Sequence, residues 1–406
     1  MRKTSAKPIA SEIAKIKALF AAICLTVSIA FFLMVLDSPL SAILKFILCA
    51  LCLAACGTAV AFAFNMESWG GLILLKSNYG LSTLDKLAKK HPKLWQQFAE
   101  IGMVVAYGSL AYFVMGKKDL RKDWKSVLPT YAIGTILLIL LSGLIPIAMS
   151  TLLSMVVGGD EFATAGSKLS ASVSQFAAAK YISLAFMIIG GISLVTTSSI
   201  LVYAGVVGFA VFGALTGNAE HLANTSPGGM PILPGINLDL IQGAIGLAII
   251  LAVHEGMHGI LARLYNLPLK SAGLVLFGFL PFGAFVDIDE KKLFSAPKEK
   301  QNAVLVAGTA ANFAAALVFL AAFILFVSAM ASIYPVAPAW AKWLAKLLAL
   351  TFSLNTIVAA INLVPLPLFD GYHIMRNAVG SKRAATAITW IVAAAFLLTM
   401  FPWVLR

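Results

Sequence analysis

The sequence predicts an all-α polytopic membrane protein, a multi-span helical bundle with one short re-entrant β-hairpin or loop beside its candidate site. Three observations carry that expectation. Of 406 residues, 60% are hydrophobic and only 12% charged, where soluble domains carry about 25% charged residues. Apolar runs of about 20 residues, long enough to cross a hydrocarbon core, recur from end to end. One stretch, "SAGLVLFGFLPFGAFVDID" at 271–289, breaks the pattern with Gly273, Gly278, Pro281 and Gly283, which interrupt a helix, while the Val, Leu and Phe between them favour extended backbone.

The basic N-terminus "MRKTSAKPIASEIAKIK" precedes a span-length run at 18–36 with no clear cleavage site after it. A retained first helix with a cytoplasmic N-terminus is therefore expected. A second span covers 41–64. Cys24, Cys49, Cys52 and Cys56 all fall within these two runs, where small apolar cysteines fill lipid-embedded packing, and no metal or redox role is assigned to Cys49-x-x-Cys52.

Further spans are expected at 128–150, 240–264, 303–330, 342–364 and 385–404. Residues 97–115 admit two readings, because "DKLAKKHPK" before them and "GKKDLRKDWK" after them are both basic. Cytoplasmic loops carry the excess of Lys and Arg, so neither block belongs outside. The expectation is a re-entrant or cytoplasm-facing 97–115, with 181–215 folded as two spans, 181–197 and 199–215. The rival makes 97–115 a full span and 181–215 one kinked span. Either way no Lys or Arg occurs between Lys180 and Arg263, so the loop 216–238 is expected outside. Arg263 and Lys270 then mark the cytoplasmic end of the 240–264 helix.

The segment 271–289 is followed by the basic "KKLFSAPKEK", so it should return to the side it left. A re-entrant hairpin of this kind survives at membrane depth only where protein or a water-filled cavity satisfies its backbone. Its alternation of Gly, Phe and Pro, with Gly283 and Phe285 at the centre, reads as an edge for binding an extended peptide. The net charge of +13 sits in short hydrophilic blocks without interleaved aromatics. The lipid bilayer, with anionic headgroups, is the expected partner, and nucleic acid is not.

Within the 240–264 helix stands "LAVHEGMHGI" at 251–260. Ionisable side chains inside a span are costly and default to function. Positions i and i+4 share a helix face, so His254 and His258 can present imidazoles to one metal ion while Glu255 reaches the water beside it, the HExxH arrangement. At 1.5 Å per residue, His258 lies ~8 Å and His254 ~14 Å from the Arg263 end, a shallow intramembrane site near the cytoplasmic face. A catalytic zinc takes three protein ligands. The carboxylates after residue 230 are Asp239, Glu255, Asp287, Asp289, Glu290, Glu299 and Asp370, and only Asp370 follows a long apolar run and precedes a glycine, in "INLVPLPLFDGYHI". Pro365 and Pro367 interrupt the helix there. His373 is the competing third ligand.

Three motifs together, "HEGMH", "GTAANF" with Gly308 and Asn312, and "NLVPLPLFDG", resemble the site-2 protease family of intramembrane zinc metalloproteases over roughly 232–380. The resemblance implies Zn2+ held by His254, His258 and Asp370, with Glu255 as general base. It implies that Asn362 lies near the scissile peptide, that Asn312 supports the site, and that 278–287 is a membrane-embedded β-loop against the substrate. For Asn312 the alternative is a helix-packing hydrogen bond. The implied substrates are transmembrane-helix proteins, cut in or near the membrane. The family's usual Leu-Asp-Gly is Phe369-Asp370-Gly371 here, a change expected to touch packing only, and no PDZ-like insert is present.

On this reading the chain divides into an N-terminal transmembrane region of open role (1–230), a metalloprotease core (231–380) and a C-terminal transmembrane helix (381–406). A metal-site transporter would also use broken helices near the midplane, but no second HExxH-like segment supplies the paired repeat. A non-catalytic scaffold derived from a protease has no need of Glu255, since zinc binding does not require it.

Overall fold

The computed structural model describes residues 6–77, 80–115, 120–157, 177–218, 220–229, 232–236 and 238–404. Two N-terminal helices, α1 (Ala6–Asp37) and α2 (Ala42–Phe64), pack against each other. Ser41 opens α2 by accepting from the Leu44 N–H at 3.4 Å, and Asn65 closes it at φ 52° with its own N–H on the Ala61 and Phe62 carbonyls. Cys49 and Cys56 are buried, and Cys52 reaches the Ser28 carbonyl of α1 at 3.3 Å. All four thiols are free, as packing residues should be.

The expected hairpin is present as β3 (Leu269–Phe277) and β4 (Leu280–Ile288), antiparallel, with Phe277 opposite Leu280. Gly278 at φ 61° opens its two-residue connection, the position that a type II′ turn gives to glycine. The hairpin is half of a larger sheet. Strands β1 (Ser68–Trp69) and β2 (Leu72–Ser77) pair on β3 in the order β1-β2-β3-β4. The β1–β2 connection is Gly70-Gly71, both at positive φ. The N-terminal region and the hairpin are thus hydrogen-bonded into one sheet, with β4 at its free edge.

Helices α3 (Leu81–Lys90), α4 (Pro92–Tyr107), α5 (Ala111–Val114), α6 (Leu120–Val157), α7 (Ala177–Leu215) and α8 (Glu220–Ala223) precede α9 (Leu240–Leu264). After the sheet come α10 (Glu290–Ser295), α11 (Lys298–Ile333), α12 (Ala339–Asn362), α13 (Asp370–Val379) and α14 (Lys382–Val404). Among the described residues, nine helical segments are long and apolar enough to cross a membrane. With the small antiparallel sheet they make this a polytopic helical protein. Helices α9, α11 and α12 form the centre, and β4 lies along α9.

Residues 92–114 are among the nine by length and composition, and they are interrupted between α4 and α5 at Gly108 (φ 55°). Ala99 and Gly102–Tyr107 are buried against α6, α7 and α11, and a side chain at Gly102 would come within 2.4 Å of the Ala310 Cβ. Residues 116–119 of the following basic block, like the first five residues, lie outside the described chain. The expected pair of spans meeting at 198 needs correction, because the run 181–215 is helical through 198 and is divided by a kink elsewhere. Its break is at Gly191 (φ 62°, ψ −161°), and the stretch 184–215 makes a single candidate span.

Candidate active site

Helix α9 carries both histidines on one face, and α13 begins with Asp370 facing them. His254 Nε2 and His258 Nε2 are 3.0 Å apart, and Asp370 Oδ2 lies 3.2 and 3.4 Å from them. Both histidines are buried. The competing ligand does not reach this triplet: the His373 ring packs between Phe294 and Tyr372, at centroid distances of 5.0 and 5.1 Å.

The three atoms can hold a metal ion. A tetrahedral ion with bonds of roughly 2.0–2.1 Å keeps its ligands about 3.3 Å apart, which suits zinc with nitrogen and oxygen donors. Asp370 Oδ2 is buried without a hydrogen bond, a costly state for a carboxylate unless a cation satisfies it. The cradle is kept clear by Gly308 of α11, where a Cβ would sit 2.5 Å from His258 Nε2 and 2.7 Å from His254 Nε2.

Gly308 belongs to a row on α11 spaced by four residues, hence on one face. One turn before it, the Val304 carbonyl lies 2.7 Å from His258 Nδ1. That contact places the proton on Nδ1 and leaves Nε2 with a lone pair. One turn after it, Asn312 Nδ2 lies 3.1 Å from His254 Nδ1, with its Oδ1 buried and unpartnered. For His254 Nε2 to ligate, Nδ1 must carry the proton and needs an acceptor. Turning the Asn312 amide over supplies Oδ1 there. Asn312 therefore sits behind a candidate ligand.

A cavity of about 290 Å³ opens onto the triplet, and Glu255, Asn362, Val286 and Leu368 also line it. Glu255 Oε2 accepts from the Val286 N–H of β4 at 3.2 Å. This bond fixes which way β4 faces. Because successive residues of a strand turn their N–H groups to opposite sides, Ala284 and Val286 point theirs to the free edge. Phe285 and Gly283, opposite Gly273 and Val275, point theirs toward β3. Neither is among the cavity-lining residues, and the Phe285 ring lies over Gly273. The outward backbone groups that the sequence reading sought at Phe285 belong to its neighbours.

Asp370 is held from behind by α13. Asn377 donates to Asn302 Oδ1 (2.8 Å) and Gln301 Oε1 (3.1 Å), and Asn302 in turn donates to the Val114 carbonyl (2.8 Å). Gly371 permits the turn into α13, since a Cβ there would be 2.3 Å from the Leu363 carbonyl oxygen. Of these supports the sequence reading gave a role only to Asn312, and named Gly308 and Gly371 as motif residues without one. The available signal was the four-residue spacing of Val304, Gly308 and Asn312 within an apolar helix.

Comparison with known proteins gives a match over the part of the chain that holds these residues. Residues 242–333 and 325–401 match the sequence model of peptidase family M50, the site-2 protease family. A 73-residue stretch is 44% identical to an uncharacterized protein of Methanocaldococcus jannaschii, covering 18% of this chain and 20% of that one. The aligned stretch thus spans about a fifth of that relative's length. No solved structure matches the chain.

Proposed function

We propose that this chain, whose residues 242–401 carry the match to peptidase family M50, is an intramembrane zinc metalloendopeptidase. It cuts transmembrane-helix proteins in or near the bilayer, close to the cytoplasmic face. The observation that carries the reading is the convergence of His254, His258 and Asp370 within 3.4 Å of one another, with Glu255 on the same cavity.

His254 and His258 offer Nε2, and Asp370 offers Oδ2, to the ion. A zinc ion there supplies Lewis-acid polarisation of water and of the scissile carbonyl. Glu255 takes the proton of the attacking water and returns it to the leaving amine nitrogen. The Val286 N–H steadies one carboxylate oxygen of Glu255 and leaves the other for that transfer. Asn362, on the same cavity wall, donates to the oxygen on which negative charge grows. A helical substrate hides its carbonyls in hydrogen bonds, so the scissile segment must unwind, and the free edge of β4 at Ala284 offers it a strand to pair with.

The test uses purified full-length protein and a panel of single-span membrane proteins in detergent or vesicles. Cleavage should stop on chelation and return when zinc is restored. Cleavage that persists in the fully chelated protein would refute a metallopeptidase.

A further inference from the structure

The turn between α12 and α13 sets two residues of the proposed site. Asn362 ends α12, Asp370 opens α13, and both line the cavity. In a continuing helix the Leu363 carbonyl would accept from the N–H four residues on, but that residue is Pro367, which has none. The residue three on does not serve either, because the Leu366 N–H donates to the Val364 carbonyl at 2.8 Å. Leu363 is buried, and a buried carbonyl without a donor is costly.

The donor comes from the chain ahead of the family match. Ser193 Oγ of α7 donates to the Leu363 carbonyl at 2.9 Å. The same oxygen lies against Gly371, where a Cβ would come within 2.3 Å of it. The hydroxyl, the end of α12 and the start of α13 therefore meet at one atom. Ser193 is brought there by the kink two residues before it. Gly191 (φ 62°) adopts a conformation that favours glycine, and a Cβ on it would lie 2.4 Å from the Ala106 carbonyl oxygen. On the other side of the kink, Ser109 Oγ donates to the Ile188 carbonyl at 2.9 Å. The end of α4 and the kink of α7 thus touch backbone to backbone, which fixes where Ser193 meets the turn.

We infer that Ser193 is a positioning residue for the site: its hydroxyl replaces the N–H that Pro367 lacks and holds the turn from Asn362 to Asp370 in the shape that brings the Asp370 carboxylate to the histidines. The inference rests on the metallopeptidase reading above, and it gives the N-terminal region a share in the site. The probes are zinc and cobalt(II) added to the metal-stripped full-length protein. Zinc affinity is measured by chelator competition, and the cobalt site by its visible absorption. Ser193→Ala leaves the Leu363 carbonyl without its donor, and should weaken zinc binding about tenfold while shifting the cobalt spectrum. Ser193→Thr keeps a hydroxyl and should restore both. Ser109→Ala loses a bond at the same helix joint but leaves Leu363 its donor, so it should match wild type. Wild-type affinity and spectrum in Ser193→Ala would overturn the inference, as would an equal loss in Ser193→Thr or in Ser109→Ala. Should Ser193→Ala not fold, Ser193→Cys, whose thiol is a weak donor, must bind zinc more weakly than Ser193→Thr, and equal affinity in that pair would overturn the inference. A wild-type protein that binds neither ion would instead overturn the metallopeptidase reading.

Discussion

The Val286 N–H donates to Glu255 Oε2 at 3.2 Å, tying the proposed base to the free edge of the four-stranded sheet. The bond joins two parts of the site that are 31 residues apart in sequence, and it sets which backbone groups of β4 face the cavity side.

Ala284 is the next residue along β4 whose N–H turns outward. Ala284→Pro removes that donor where an edge strand tolerates proline, so it should slow cleavage by tenfold or more, on the order of one lost hydrogen bond to substrate, and leave zinc content unchanged. Phe285→Pro removes a bond to β3 instead and should lower the melting temperature. Equal cleavage by Ala284→Pro and wild type, measured on one single-span substrate, would show that the edge does not bind substrate.

Gly308 tests the ion cradle. Gly308→Ala places a methyl group 2.5 Å from His258 Nε2, inside any normal contact distance, so a ligand must move. Zinc content after purification should fall severalfold or more, with the helical circular dichroism of wild type. Full zinc occupancy in this variant would place the ion elsewhere.

Asp370 and His373 are separated by one helical turn, and only Asp370 meets the histidines. Asp370→Ala should lose zinc, while His373→Ala should keep it. Elemental analysis of both proteins decides the third ligand, and the reverse result would reassign it.

Asn312 is expected to act through His254. Asn312→Ala leaves Nδ1 without its buried partner and should weaken zinc binding about 10–100-fold, read by chelator competition. Unchanged affinity would leave Asn312 as a helix-packing residue only.

What was legible in the sequence is what local chemistry determines. The HExxH spacing puts two imidazoles on one face of any helix, and the glycines and proline of 271–289 exclude a span. The sheet partner of that hairpin was missed because pairing between residues 72–77 and 272–277 is a long-range choice. Its local signal was present nonetheless, as Gly70-Gly71 between Trp69 and Leu72 fits a type I′ turn. The kink at Gly191 was misplaced for a related reason. The two spans were divided at the polar run Thr196-Thr197-Ser198-Ser199, whereas the kink falls at the Gly190-Gly191 pair, where the helix meets the backbone of Ala106–Gly108.

The central claim is metal-dependent peptide hydrolysis with Glu255 as the base. The most direct measurement is a paired one on purified Glu255→Gln protein: zinc per chain, and cleavage of a substrate that wild type cuts. The amide preserves size and removes the base, so zinc should equal wild type while cleavage falls by about 10²–10⁴-fold. Near-normal cleavage by the zinc-loaded variant would contradict the account.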